Sequence, residues 1–164
     1  MRDRYAYVLF CDDIRRERTN TSTYVGLYGT TLRAPEFPHL LPRLCVQTVL
    51  VCNASTPPER VKVIITTSAF REEHEISAEL MAQHKERCAR ILQDETSIFS
   101  DDEPPKSRIG ATFVISPMVF EGEGRLLVHV ETESERLRAG SLNILSRSEK
   151  KPSSPAIKSS TKQA

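Results

Sequence analysis

The sequence predicts a mainly β protein: a single antiparallel β-sandwich with one inserted α-helix near 77–93. Three observations carry this prediction. Period-two alternation of apolar residues recurs in short runs on both sides of one segment with a 3.6-residue period. Pro and Gly punctuate the chain between most of those runs. With 164 residues and 38% hydrophobic content, the chain has apolar material for one core and little more.

The elements follow in order. Tyr5–Phe10 is aromatic and β-branched and reads as a strand. Asp12–Thr23 is polar and charged and reads as a connection, and Tyr24–Tyr28 reads as a second strand ending near Gly29. Pro35, Pro38 and Pro42 recur every three to four residues, so Arg33–Arg43 is expected to be irregular. Leu44–Val51 and Arg60–Ser68 are the clearest strands. Leu44, Val46, Thr48 and Leu50 share one face of the first, and Val61, Val63, Ile65 and Thr67 one face of the second, with Pro57-Pro58 marking the turn. Leu44–Val51 is apolar on both faces, as a covered central strand would be. Ser77–Gln93 contains neither Pro nor Gly and places Leu80, Met81, His84, Cys88, Ile91 and Leu92 on one helical face. Ser77 suits the N-cap, and Glu79 lies beside the positive end of the helix dipole. Ser100–Ser107 reads as an exposed acidic loop. Arg108–Ser116 then alternates Ile109, Ala111, Phe113 and Ile115, and Pro117 suggests a bulge or an edge. Glu121–Gly124 turns the chain into Arg125–Glu131, with Leu126, Val128 and Val130 inward. A polar connection reaches Gly140, and Leu142–Leu145 is a last short strand. The total is about seven strands, in a domain spanning 1–145.

Residues 146–164 differ in composition. They hold five Lys/Arg against one Glu, for a charge of +4, so the remainder carries −3 of the chain's net +1. One bulky apolar residue, Ile157, cannot offset the ordering entropy, and the segment reads as a disordered basic tail. The near-balance of 23 basic and 22 acidic residues argues against a dedicated nucleic-acid-binding domain. No apolar run approaches membrane-spanning length, and the six residues after Met1–Arg4 are too few for a secretory core. A cytoplasmic protein without a membrane contact is the expectation. The cysteines, Cys11, Cys45, Cys52 and Cys88, show no metal-ligand spacing, and four reduced thiols fit a reducing compartment.

The densest polar cluster is Cys11-Asp12-Asp13-Ile14-Arg15-Arg16-Glu17. Adjacent carboxylates suit a hard cation, but neighbours on an extended strand point to opposite faces, so Asp12 and Asp13 converge only across a bend. The alternative is a strand end whose carboxylates cap backbone donors and pair with Arg15, Arg16 or Arg18. His39, His74, His84 and His129 are scattered, and no nucleophile elbow, phosphate loop, dinucleotide fingerprint or zincin motif occurs.

The opening from Tyr5 through Cys11-Asp12-Asp13-Ile14-Arg15 to Glu17, followed by Tyr24-Val25-Gly26-Leu27-Tyr28, resembles a family of small bacterial and phage proteins of unknown function. That family begins with a strand, Cys-Asp-Asp-Ile-Arg and a nearby Glu, then a strand carrying Gly-x-Tyr. The resemblance extends loosely over Ile109–Leu145. Thr19-Asn20-Thr21 stands here in place of the family's Gly-Lys pair. The resemblance implies an immunoglobulin-like or C2-like sandwich and no catalytic role.

Together these readings point to a non-enzymatic protein–protein interaction module without a cofactor, with Asp12, Asp13, Arg15 and Glu17 as the candidate interaction cluster. The partner is a protein, and a homo-oligomer is compatible with the same reading. One alternative is a metal-binding protein or small enzyme using Asp12, Asp13 and Glu17, with His39 as a further candidate. The other is a weak, salt-sensitive nucleic-acid contact through Lys150, Lys151, Lys158 and Lys162 of the tail.

Overall fold

A computed structural model of the chain describes residues 4–19, 21–93 and 104–147. These form twelve strands and one helix: β1 (Arg4–Cys11), β2 (Asp13–Arg16), β3 (Ser22–Val25), β4 (Thr31–Ala34), β5 (His39–Leu41), β6 (Leu44–Asn53), β7 (Val61–Thr66), β8 (Arg71–Glu75), α1 (Ala78–Gln93), β9 (Lys106–Ile115), β10 (Met118–Phe120), β11 (Gly124–Thr132) and β12 (Arg136–Ser146). They assemble into a three-stranded sheet ordered β1-β6-β9, a five-stranded sheet ordered β4-β12-β11-β7-β8, and two small pairs, β2-β3 and β5-β10. The protein is therefore mainly β with one helix, distributed over several sheets.

The core draws on both large sheets. From the three-stranded sheet come Phe10, Leu44, Val46 and Leu50, with Ile109, Ala111, Phe113 and Ile115 packed against them. From the five-stranded sheet come Val61, Val63, Ile65, Leu126, Val128, Val130, Leu142 and Ile144. These are the alternating positions the pattern assigns inward. β6 is central, flanked antiparallel along its length by β1 and β9. The turn containing Pro57-Pro58 carries the chain from β6 in one sheet to β7 in the other.

The helix starts as its sequence demands. The Ser77 hydroxyl accepts from the Leu80 amide at 3.3 Å, so it caps the first turn. Met81, His84 and Cys88 are buried, and Ile91 and Leu92 are half-buried. Leu80 departs from expectation: it is 55% exposed, on the edge of the helix's apolar stripe rather than within it. Where α1 links the edge strands of the two sheets, His74 of β8 stacks on Phe113 of β9 at 4.6 Å. On the opposite side β1 approaches β12, and Gly140 makes this possible. A Cβ there would stand 2.8 Å from Val8 Cγ1, at a φ of +156°.

Several expectations are corrected. The supposed connection Asp12–Thr23 holds β2 and the start of β3, the two strands of a hairpin, and the strand expected over Tyr24–Tyr28 ends at Val25. The proline-rich stretch Arg33–Arg43 contains β5, which pairs with β10, and overlaps the end of β4. Both are edge pairings, where a missing proline N–H leaves no gap inside a ladder. The last strand is eleven residues long, not four, because the charged Arg136 and Arg138 face outward while Leu137 is buried. β4 pairs with β12 in parallel, so the sheets are not wholly antiparallel. Ser146, assigned to the tail, ends β12, where its amide and hydroxyl both donate to Glu123. The rest of the predicted tail, apart from Arg147, lies outside the described residues, as does the first half of the acidic loop, 100–103; Lys106 and Ser107 of that loop begin β9, and Ser107 is buried.

One end of the molecule is closed by a single arginine. Arg4 Nη1 donates to Glu133 at 2.8 Å and to Ser134 at 3.1 Å, and Nη2 donates to the Thr56 carbonyl. Glu133 Oε2 accepts from the amides of Glu59 and Arg60. Burial works against the charged carboxylate, but its own backbone amide, then Arg4 and the Glu59 and Arg60 amides, prevail and bring its pKa from the ordinary 4.5 down to about 2. A depressed carboxylate pKa stabilises the fold above the unfolded value, and that stability is lost as pH falls from about 4.5 toward 2. Glu133→Gln is therefore expected to melt below wild type near neutral pH, and the difference should close near pH 2. A gap that persists in acid would assign the contact to neutral hydrogen bonding.

Candidate functional site

The two segments that carry the N-terminal resemblance meet at Asp12. β1 ends at Cys11 because Asp12 sits in a bend, from which its amide donates to the Val25 carbonyl at 3.0 Å. The Tyr28 hydroxyl donates to Asp12 Oδ1. Burial, reinforced by this hydrogen bond to the carboxylate, raises the Tyr28 pKa and keeps the phenol protonated. Gly26 adopts φ +64°, and a Cβ there would fall 1.9 Å from Asp12 Oδ2. Gly26, Tyr28 and Asp12 thus form one compact joint at the base of the hairpin.

The other carboxylates turn elsewhere. Asp13 meets Arg43 at 3.0 Å and Arg15 at 3.5 Å. Glu17 accepts from the Thr23 hydroxyl at 2.8 Å across the hairpin, and its amide donates to the Thr21 carbonyl. Asp12, Asp13 and Glu17 therefore face three different partners, and Arg15 is mostly exposed. His39 lies on β5, paired with Phe120 of β10. Among the described residues no group of three or more His, Cys, Asp or Glu is arranged to hold a metal ion. Asp12→Ala is expected to cost about 1 kcal/mol, since it strands the Tyr28 hydroxyl. Asp13→Ala should cost less, because its ion pairs are exposed to solvent. Chemical denaturation of the two variants checks the order.

The hairpin lies against the outer face of the three-stranded sheet and bounds an open groove of about 570 Å³. Ile14, Arg16 and Tyr24 form one wall, Gln47, Gly110 and Thr112 the floor, and Leu80 the far rim. No protein-family model matches the chain, and no curated protein matches it. The groove is uncharged except for Arg16, which has no ion pair among the described residues. A hollow of about 540 Å³ at the start of α1 is lined by charged residues, of which Lys85 and Glu59 pair at 2.6 Å, and by Ile76, Ala78, Met81 and Ala82.

Arg16, Tyr24 and Leu80 escaped the sequence reading as a group. Arg16 and Tyr24 fell in a connection and a strand of unknown neighbours, and Leu80 was assigned to the core. The available signal was the i, i+10 relation of Ile14 and Tyr24, which a hairpin brings into register. His84, in contrast, lies where its helical face predicts. It is buried, its Nε2 is 3.7 Å from Cys52 Sγ and 3.4 Å from Cys88 Sγ, and burial lowers its pKa and favours the neutral ring.

Proposed function

We propose that the chain is a non-enzymatic protein-binding module whose contact surface is the β2-β3 hairpin and the groove beside it. The observation that supports this most directly is apolar exposure on the hairpin and across the groove from it. Tyr24, Val25 and Leu27 are 37%, 38% and 58% exposed, and Leu80 across the groove is 55% exposed. Tyr24 and Leu80 line the groove together with Arg16, which suits a partner that buries side chains and offers a carboxylate, while Val25 and Leu27 lie on the hairpin outside the groove. The candidate cluster then has a supporting role: Asp12, Asp13 and Glu17 hold the hairpin in shape, and Arg15 extends from its outer edge. The fold in this reading is a sandwich of the immunoglobulin-like or C2-like kind. The setting is a bacterial or phage system in a reducing cytoplasm, as the N-terminal resemblance and the cysteine usage imply. No helix among the described residues is long and apolar enough to cross a membrane.

The test is differential capture. Wild type and the double variant Tyr24→Ser/Leu27→Ser, matched in melting temperature, are used as bait in lysate of the source organism. Leu40→Ser, on the separate β5-β10 pair, serves as the control. A partner held by wild type and the control but lost by the double variant is the expected result. Equal capture by all three would remove the hairpin from the contact surface.

A further inference from the structure

We propose that Cys11 and Cys45 are a modification site: a thiol pair that closes to a disulfide under a two-electron oxidant such as hydrogen peroxide and ties down the base of the β2-β3 hairpin. The inference does not depend on the partner-binding reading, and its test uses no partner.

Cys11 of β1 and Cys45 of β6 are directly opposed in an antiparallel ladder without a register shift. Opposed residues in such a ladder have Cα atoms about 4.5–5.5 Å apart, inside the 4.4–6.8 Å range that a disulfide spans. The strands need not move for the bond to form. Alternation points both side chains to the outer face of the sheet, opposite the inward Phe10, Leu44 and Val46. Both are nevertheless fully buried, because the hairpin that begins at Asp12 folds over them. Cys45 Sγ donates to the Asp12 carbonyl at 3.6 Å, so one thiol of the pair already contacts the bend from which the hairpin starts.

The second pair is built differently. Cys52 and Cys88 come from a strand and the helix, and each packs against the same His84 Nε2. Both sulfurs lie within 4 Å of the imidazole, and Cys52 also donates to the Ser107 carbonyl at 3.8 Å, whereas Cys11 and Cys45 face each other in register. All four cysteines are free and buried. Burial, and then the neighbouring Cys45, push the Cys11 thiol up to about 11, so the closed form holds the pair protonated and slow to react. Reaction therefore proceeds when the hairpin lifts. It is held at its base by the Asp12 amide on Val25 and the Tyr28 amide on Phe10.

The step balances without a cofactor. One thiolate attacks a peroxide oxygen, the O–O bond breaks, and a sulfenic acid and one water result. The second thiol attacks that sulfur, the S–O bond breaks, and a second water leaves. The two sulfurs are each oxidised by one electron, and the peroxide is reduced by two. A dithiol reductant reverses the reaction. In the oxidised form Cys45 no longer donates to Asp12, and the link closes a loop containing the hairpin, β4 and β5.

The test treats the reduced, folded full chain with hydrogen peroxide, traps remaining thiols by alkylation in acid, and maps peptides without reduction. The expected product is one cross-link lighter by two hydrogens, joining the peptide of Cys11 to that of Cys45. Fragmentation between Cys45 and Cys52, which share a tryptic peptide, assigns the sulfur. Cys52 and Cys88 should appear alkylated, and dithiothreitol should reverse the link. The oxidised protein should melt about 5–10 °C higher, and the Asp12 and Tyr28 amides should exchange at least tenfold more slowly. Cys52→Ser should keep the cross-link. Cys45→Ser should lose it, and the wild-type map decides alone if that variant does not fold. A Cys52–Cys88 link, links scattered over all pairs, oxygen-adducted cysteines with no link, or four alkylated thiols after exhaustive treatment would each overturn the proposal.

Discussion

Gly26→Val is expected to dismantle the hairpin base and lower stability by about 2–4 kcal/mol, the sum of backbone strain and overpacking. The backbone at Gly26 lies at φ +64°, which a β-branched residue adopts only at a cost of about 1–2 kcal/mol. The steric problem is separate and larger. The new Cβ would lie 1.9 Å from Asp12 Oδ2 and 2.6 Å from its Cγ, so the carboxylate must swing away and abandon the Tyr28 hydroxyl. Asp12 is held from both sides, since its amide is also bonded to Val25. Relief therefore comes from opening the hairpin. Hydrogen exchange separates local from global loss: amides of β2 and β3 should lose protection while those of β6, β7 and β11 keep theirs. Gly29→Val makes a sharp comparison, because nothing lies within 4 Å of a Cβ there. Equal effects of the two substitutions would show that the Asp12 joint is not what requires glycine at 26.

The same joint shows where sequence reasoning succeeds and where it stops. The long strands β6, β7 and β11 were legible because each has a buried face, and β9 because its inward face is half-buried against the core, and burial imposes period-two alternation. The helix was legible for the corresponding reason, with Ser77 as its cap. The short strands β2 and β8 bury no side chain, and β5 and β10 bury only Leu41, Met118 and Phe120, too few positions to show an alternation. β8, Arg-Glu-Glu-His-Glu, is an edge strand whose charges suit a sheet margin, and those same charges hide it from a search for alternation. The polar cluster at Cys11–Glu17 was visible, but not the reason its carboxylates do not converge: a bend does interrupt the strand at Asp12, and each carboxylate is held instead by partners of its own. Of their partners only Arg15, beside Asp13, was visible; Tyr28, Arg43 and Thr23 were not, because they are 6 to 30 residues away and reach the cluster through turns whose geometry depends on the finished fold. The cross-strand pairing of Cys11 with Cys45 was hidden for the same reason, since register between distant strands is settled by the packing of the whole face.

Leu142→Ala is expected to be the most damaging single truncation, at about 3–5 kcal/mol with a fall in melting temperature on the order of 10 °C. Leu142 is fully buried on β12, opposite the equally buried Leu126 of β11, near the middle of the five-stranded sheet. Its neighbours cannot collapse into the space. Val128 and Val130 are tied on one side to β12 and on the other to β7, whose Val63 and Ile65 are in turn fixed between β11 and β8. A cavity therefore remains, and its cost adds to the lost transfer free energy of the removed atoms. The same truncation at Leu40, 55% exposed on the small β5-β10 pair, removes almost no buried area and should cost under about 1 kcal/mol. The contrast tests the register directly. A one-residue slip of β12 would turn Leu142 and Ile144 outward and bring Ser141 and Asn143 into the core. Denaturant midpoints for the two variants decide it: a Leu142→Ala cost no larger than that of Leu40→Ala would mean that β12 presents its other face to the core.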